Sequence, residues 1–273
     1  MESSSSDPLP KDDLKALQSE DLYLYGLIGN PLTHSFSQQY FMKKFKKEKL
    51  KDHHYELFPL DDIDDIRLLL EVHKNLCGLN VTIPYKESII EYLDDMDPVA
   101  AEIGAVNCIL IDEFEKIGYN TDWLGFRDAL KPHLKAHHTH ALVLGTGGSS
   151  KAVQYALKEL DIQVQLVSRN AGDHCISYSD LTKAILEQHT VIINTTPLGM
   201  HPDTATAPDL DYSAIGKNHL CFDLIYNPAV TQFLQRAKNQ GATVVNGERM
   251  LELQAEYAWS IWSAAQEEAE DED

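Results

Sequence analysis

The chain has 273 residues, 43% of them hydrophobic, and a net charge of −20. That apolar content is enough to bury one or two cores, and the charge opposes binding to nucleic-acid phosphates. The longest apolar runs, such as HALVLG and TVIINTTPLGM, stop well short of the roughly 20 residues that span a bilayer. No charged-then-apolar signal segment opens the chain, so the expectation is a cytoplasmic protein without membrane contact.

Half of the charge sits at the two ends. Residues 1–21 carry six acids against two lysines, and residues 267–273 carry six acids and no base. Both ends read as solvated, disordered tails. The four cysteines, Cys77, Cys108, Cys175 and Cys221, are far apart and show no CxxC spacing, which points to reduced, buried thiols.

Strand-length apolar runs alternate with amphipathic stretches along most of the chain, the pattern of an α/β protein with mainly parallel sheet. In the first half, strands are predicted near Leu22–Ile28, Tyr55–Phe58, Gly78–Ile83 and Ala105–Ile111. Helices are predicted near Ser35–Lys47, Asp61–Lys74 and Pro84–Leu93, and the Asp61–Asp65 cluster suits a helix N-terminus. KPHLKAHHTH then reads as a linker. Its His137, His138 and His140 lack a matched acid or cysteine, so no metal site is expected.

In the second half the predicted order is strand Ala141–Leu144, a helix from Ser149, strands Val164–Val167, Val191–Asn194 and Cys221–Ile225, and helix Ala229–Gln240. Strand Ala242–Val245 and a closing helix from Glu248 to about Gln266 follow.

Two glycine turns compete for a nucleotide. ALVLGTGGSSKAV joins a predicted strand to a predicted helix, the context a dinucleotide turn requires. Gly145 permits the sharp turn, Gly147 lets the backbone approach a pyrophosphate, and Ser150 takes the place of the third glycine. At the end of the next strand stands VSRN, without a carboxylate. Ser168, Arg169 and Asn170 favour a ribose 2′-phosphate, and therefore NADP over NAD.

The earlier turn, GLIGNPLTHSFS, is thereby free for other work. Around it Asn80, Thr82, Asn107, Asn120 and Asp122 lie at or near the ends of apolar runs, where polar side chains can converge on a cleft. Lys86, expected one turn into a helix opened by Pro84, is a candidate acid or base.

GNPLTHSFS, GLNVTIPYKE, GAVN, NTD, LGTGGSSKAV, NTTPLGM, DLIYNP and NGERMLELQ occur in that order. Together they resemble the shikimate dehydrogenase family from Tyr23 to about Trp262. The resemblance implies a substrate domain (22–122, completed by 247–266) with an inserted Rossmann-type NADP domain (123–246) between tails 1–21 and 267–273. It implies NADPH-dependent reduction of 3-dehydroshikimate to shikimate, in aromatic amino acid biosynthesis, without a metal and by a monomer or homodimer.

By matching motifs, the resemblance implies that Ser35 and Ser37 hold the substrate carboxylate with help from Tyr226. Asn80, Thr82, Asn107, Asp122 and Gln254 would hold the ring hydroxyls, and Lys86 with Asp122 would form the catalytic pair. Gly145, Gly147, Gly148 and Ser149 would hold the pyrophosphate and Ser168, Arg169 and Asn170 the 2′-phosphate, with Gly247 and Met250 along the nicotinamide.

Three departures stand out against the family pattern. SRNAGDHC carries no second base, which implies a weaker preference for NADP. Phe36 and Trp123 are bulkier than common family choices and would trim the pocket. An NAD-using quinate/shikimate dehydrogenase is the nearest alternative, and a catalytically silent metabolite sensor of the same fold is a more distant one that loses weight because Lys86 and Asp122 are both present.

Overall fold

β1 (Tyr23–Gly29) is almost wholly buried and pairs in parallel with β2 (His53–Pro59) on one side and β3 (Leu76–Val81) on the other. These strands belong to a computed structural model that describes Leu17, residues 22–32, 35–112 and 115–272, with side chains to 268. Apart from Leu17, the expected tail 1–21 lies outside the described residues.

Between β1 and β2 runs α1 (Phe36–Glu48), started by Ser35, whose hydroxyl oxygen accepts the Gln38 N–H. Ser37, Phe41 and Phe45, four residues apart, form its buried stripe. The Asp-rich stretch after β2 opens as a short 3-10 turn, Ile63–Asp65, in a capping box headed by Asp62, and α2 (Ile66–Val72) continues from it.

A helix over Pro84–Leu93 does not form. The Lys86 carbonyl accepts the Val106 N–H at 2.8 Å, where an α-helix would need it for Ile90, and the Ile90 N–H bonds Glu87 instead. Only a 3-10 turn, Ser88–Tyr92, remains, and Lys86 stands in the bend before it. β4 (Asp95–Met96), β5 (Cys108–Ile111) and β6 (Lys116–Tyr119) complete a six-stranded sheet of order β2-β1-β3-β5-β6-β4. β5 runs antiparallel to β3 and to β6, and the other pairs are parallel. On this sheet Tyr25 and Tyr55 meet Trp262 and Phe41, and the Trp262 indole N–H donates to the Ile109 carbonyl at 2.9 Å. Trp262 also lies where a Cβ on Gly78 would stand, so β3 needs glycine there.

The second sheet is wholly parallel, with order β12-β11-β10-β7-β8-β9. Its strands are β7 (His140–Leu144), β8 (Gln163–Ser168), β9 (Cys175–Ser177), β10 (Val191–Asn194), β11 (Leu220–Asp223) and β12 (Thr243–Val245). The chain winds outward from β7 through β8 to β9, returns to β10 beside β7, and winds the other way. That is the doubly wound order, with its switch point between β7 and β10.

Side chains of β7 alternate. Ala141 and Val143 pack in one core with Phe126, Val153, Leu157 and Met250, while Leu142 and Leu144 pack in another with Leu186, Phe233 and Leu234. The helices bearing them are α4 (Asp122–Leu130), α5 (Gly148–Glu159), α6 (Lys183–Gln188), α7 (Gln232–Asn239) and α8 (Glu248–Glu272). α7 begins three residues later than expected because the Thr231 hydroxyl caps it. α8 is helical to Glu272, past the tail expected from Glu267; Glu and Ala, good helix formers, make up all of 267–272 except Asp271. In the stretch expected as a linker, His137 and His138 both direct Nε2 to the Asn218 carbonyl.

The described residues of Met1–Asp97, Val106–Tyr119 and Ile261–Asp273 form one compact unit, and Pro98–Ala105 with Asn120–Ser260 form the other. The divide differs from the one expected at 122/123 and 246/247, and packing explains why. α3 (Pro98–Ile103) ends in a cluster of Ile103 and Ala105 with Ala152, Trp123 and Tyr155, and Met250 joins the core around Phe126. Both segments therefore go with the second sheet.

Candidate active site

The first unit gathers Ser35, Ser37, Asn80, Thr82, Lys86 and Asn107. Ser35 and Ser37 open α1, Asn80 lies on β3, Thr82 follows it, and Asn107 immediately precedes β5. Thr82 is held through its N–H to the Ile28 carbonyl at 3.0 Å, which places it beside the end of β1. The backbone of Asn107 bridges two strands, its N–H donating to Tyr119 O at 3.1 Å and its carbonyl accepting from Val81 N at 2.9 Å. Lys86 is half-buried and anchored through its carbonyl to Val106, one residue before Asn107.

A buried chain of hydrogen bonds joins these elements. Tyr55 donates to Asn80 Oδ1 at 2.7 Å, and Asn80 Nδ2 donates to the Asn107 carbonyl at 3.3 Å. Burial pushes the Tyr55 hydroxyl well above its ordinary pKa, so it remains a protonated donor. Tyr55 was not among the residues predicted from sequence; its only signal is a polar-tipped aromatic in the middle of a strand.

The second unit holds Asp122, Gln254, Tyr226 and the whole glycine turn. Asp122 is the first residue of α4, where the helix dipole favours a carboxylate. α4 and α8 meet at Gly125, where a Cβ would lie 2.7 Å from the Met250 carbonyl and 3.0 Å from Gln254 N. Asp122 and Gln254 are both buried on these two helices. Tyr226, in the segment after β11, is exposed.

The glycine turn follows β7 at the switch point. Gly145 has φ +113°, which disfavours any side chain, and a Cβ there would meet Thr195 Oγ1 at 2.7 Å. Ser150 closes the turn, its hydroxyl donating to the Gly145 carbonyl at 2.8 Å. A Cβ on Gly147 would meet nothing within 4 Å, so the backbone there presents an open face at the start of α5. A twelve-residue helix beginning at such a face, with Gly148 and Ser149 in its first turn, fits a pyrophosphate. Ser168 ends β8, and Arg169 and Asn170 are exposed just beyond. Among the described residues no carboxylate pairs with Arg169, which leaves its guanidinium suited to a phosphate.

Neighbouring strands carry a second network that the sequence reading passed over. Asp223, at the end of β11, accepts from Asn194 Nδ2 at 3.0 Å, Ile225 N at 3.1 Å and Thr231 Oγ1 at 2.6 Å. Asp223 is fully buried, and desolvation pushes its carboxyl up to about 6 against the effect of those three donors. It ties together the carboxyl ends of β10 and β11 and the turn that leads to Tyr226. Gly247 packs on that turn: its N–H donates to Ile225 O at 3.1 Å, and a Cβ would overlap the Leu224 carbonyl. Met250 is buried in the core beneath. The available signal was a polar residue closing each of two otherwise apolar runs, VIIN and LCFD.

Comparison with known proteins gives a consistent picture. The profile of the shikimate dehydrogenase substrate binding domain matches residues 27–109. A shikimate dehydrogenase (NADP(+)) of Clostridium botulinum is 37% identical over 253 residues, 88% of this chain and 96% of that protein. A crystal structure of a shikimate dehydrogenase in complex with NADP+ is 31% identical, with TM-score 0.81 over 90% of this chain and 91% of that one. The Thermus thermophilus enzyme, crystallised with NADP(H) and shikimate, is 29% identical, with TM-score 0.80 over 89% and 94%. With these extents of match across both units, the chain belongs to the shikimate dehydrogenase family.

Proposed function

We propose that this protein is a shikimate dehydrogenase, interconverting shikimate and 3-dehydroshikimate with NADP in aromatic amino acid biosynthesis. The observation that carries the reading is the polar wall of the first unit, where Asn80, Thr82 and Asn107 stand close to the anchored Lys86. Such a wall suits a small polyhydroxylated ring.

Gly145, Gly147, Gly148 and Ser149 would hold the pyrophosphate of NADP, Ser168, Arg169 and Asn170 its 2′-phosphate, and Gly247 and Met250 would flank the nicotinamide. When bound, NADP accepts or supplies the hydride. The residues of the chain do the rest. Ser35 accepts the Gln38 N–H in its cap, so its own proton remains for the substrate carboxylate, which Ser37 and Tyr226 would also hold. Asn80, Thr82, Asn107, Asp122 and Gln254 orient the ring hydroxyls. Lys86 takes the proton of the reacting hydroxyl during oxidation and returns it to the carbonyl oxygen during reduction. Asp122, at the positive end of α4, where a carboxylate is favoured, is the other member of the proposed catalytic pair.

The reading takes the enzyme as cytoplasmic and as a monomer or homodimer, and its acidic charge supports a role apart from nucleic acid. The test of the mechanism is Lys86→Ala. It is expected to lower kcat by at least about a hundredfold while shikimate still binds. Near-normal turnover would remove Lys86 as the proton carrier.

A further inference from the structure

We infer that Tyr55 is a positioning residue for the substrate, pinning the Asn80 amide through its oxygen so that the second amide hydrogen is held toward the ring hydroxyls. The inference rests on the functional reading above and assigns a role to a residue that never touches the substrate itself.

Asn80 has one carbonyl oxygen and one amide nitrogen, and the two are interchangeable in shape. Its neighbours are not interchangeable. The Asn107 carbonyl can only accept, so the amide nitrogen must face it, at 3.3 Å. The oxygen then faces Tyr55, whose hydroxyl donates at 2.7 Å. Flipping the amide would set its oxygen against the Asn107 carbonyl within a site where Asn80 is 3% exposed and Tyr55 is 0% exposed, and unpaired buried polar groups are costly. One orientation is therefore enforced, and it leaves the second amide hydrogen of Asn80 as the group available to a ligand.

The hydroxyl that pins the amide oxygen is itself held. The Tyr55 ring stacks on Phe41 with centroids 4.6 Å apart and planes 8° from parallel. Phe41 lies one turn beyond Ser37 on the buried stripe of α1. Tyr55 thus joins the carboxylate end of the site, at the start of α1, to its hydroxyl-reading wall on β3. Removing one oxygen atom by Tyr55→Phe keeps the stack and takes away the 2.7 Å partner of Asn80 Oδ1, which loosens the amide.

The test is steady-state kinetics of Tyr55→Phe, Asn80→Ala and the double variant, with shikimate and NADP+ varied separately. Tyr55→Phe is expected to raise KM for shikimate about tenfold, with kcat within threefold of wild type and KM for NADP+ unchanged. Added to Asn80→Ala, it should change KM for shikimate by less than twofold, because its effect passes through Asn80. A wild-type KM for shikimate in Tyr55→Phe overturns the inference, and so does an equal loss in kcat and in both KM values, which marks general loosening. If the wild-type protein fails to oxidise shikimate, the functional reading falls and the inference with it.

Should Tyr55→Phe not fold, the wild-type protein answers by NMR. The side-chain amide of Asn80, assigned by its absence in Asn80→Ala, should show two well-separated proton signals that move on adding shikimate. Averaged signals, or signals indifferent to shikimate, overturn the inference.

Discussion

The side chain of Asn120 donates to the Ala105 carbonyl at 2.8 Å while its own oxygen accepts the Trp123 N–H at 3.2 Å. Two residues before Asp122, it caps the first turn of α4 and ties that turn to the segment after α3. Asn120→Ala is expected to cost about 2 kcal/mol in urea denaturation, since it orphans a buried carbonyl and an N-terminal amide. It should also lower kcat more than it raises KM for NADP+. Unchanged kcat would show that Asp122 keeps its place without this cap.

Asp223 gives a dependence of stability on pH. Its carboxyl is raised from 3.8 to about 6, so the folded protein binds a proton that the unfolded chain releases at lower pH. The proton-linked stabilisation is complete below about pH 4 and is lost as pH rises through about 6. The shift corresponds to about 3 kcal/mol. Asp223→Asn removes this titration, and the Thr231 hydroxyl can turn to accept from the new amide. The stability of the wild type relative to Asp223→Asn should therefore decline by up to that amount between pH 4 and pH 7, as read by urea unfolding. A difference independent of pH would mean that Asp223 titrates as an ordinary exposed carboxylate.

Arg169 stands exposed just beyond the end of β8, with no second base nearby in SRNAGDHC. Arg169→Ala should raise KM for NADP+ about tenfold and KM for NAD+ less than twofold, since only the former carries the 2′-phosphate. Equal changes for the two would show that Arg169 does not read the phosphate.

What could be read from the amino-acid sequence was what local chemistry dictates. Strands β1, β7 and β10 are apolar runs, and the turn at Gly145 announces itself because few other residues tolerate its φ of +113°. The bend at Lys86 was read as a helix because its residues permit one; the competing bond from Val106 comes from 20 residues away and leaves no local trace. Several short elements were missed for a related reason: β4, β6 and β9 have four residues or fewer and are held by strand pairing. α4 was hidden by its polar start, NTD, although Asn120 three residues before Trp123 is a cap spacing. The proposed site residues come from local motifs, whereas Tyr55 and Asp223 act through partners distant in sequence.

The central claim is the choice of substrate and cofactor, and a matrix of initial rates on the purified protein tests it most directly, with shikimate and quinate each offered NADP+ and NAD+. The account predicts that kcat/KM is highest for shikimate with NADP+, by at least about tenfold over shikimate with NAD+. A clear preference for quinate with NAD+, or no reduction of either cofactor by shikimate, would contradict it.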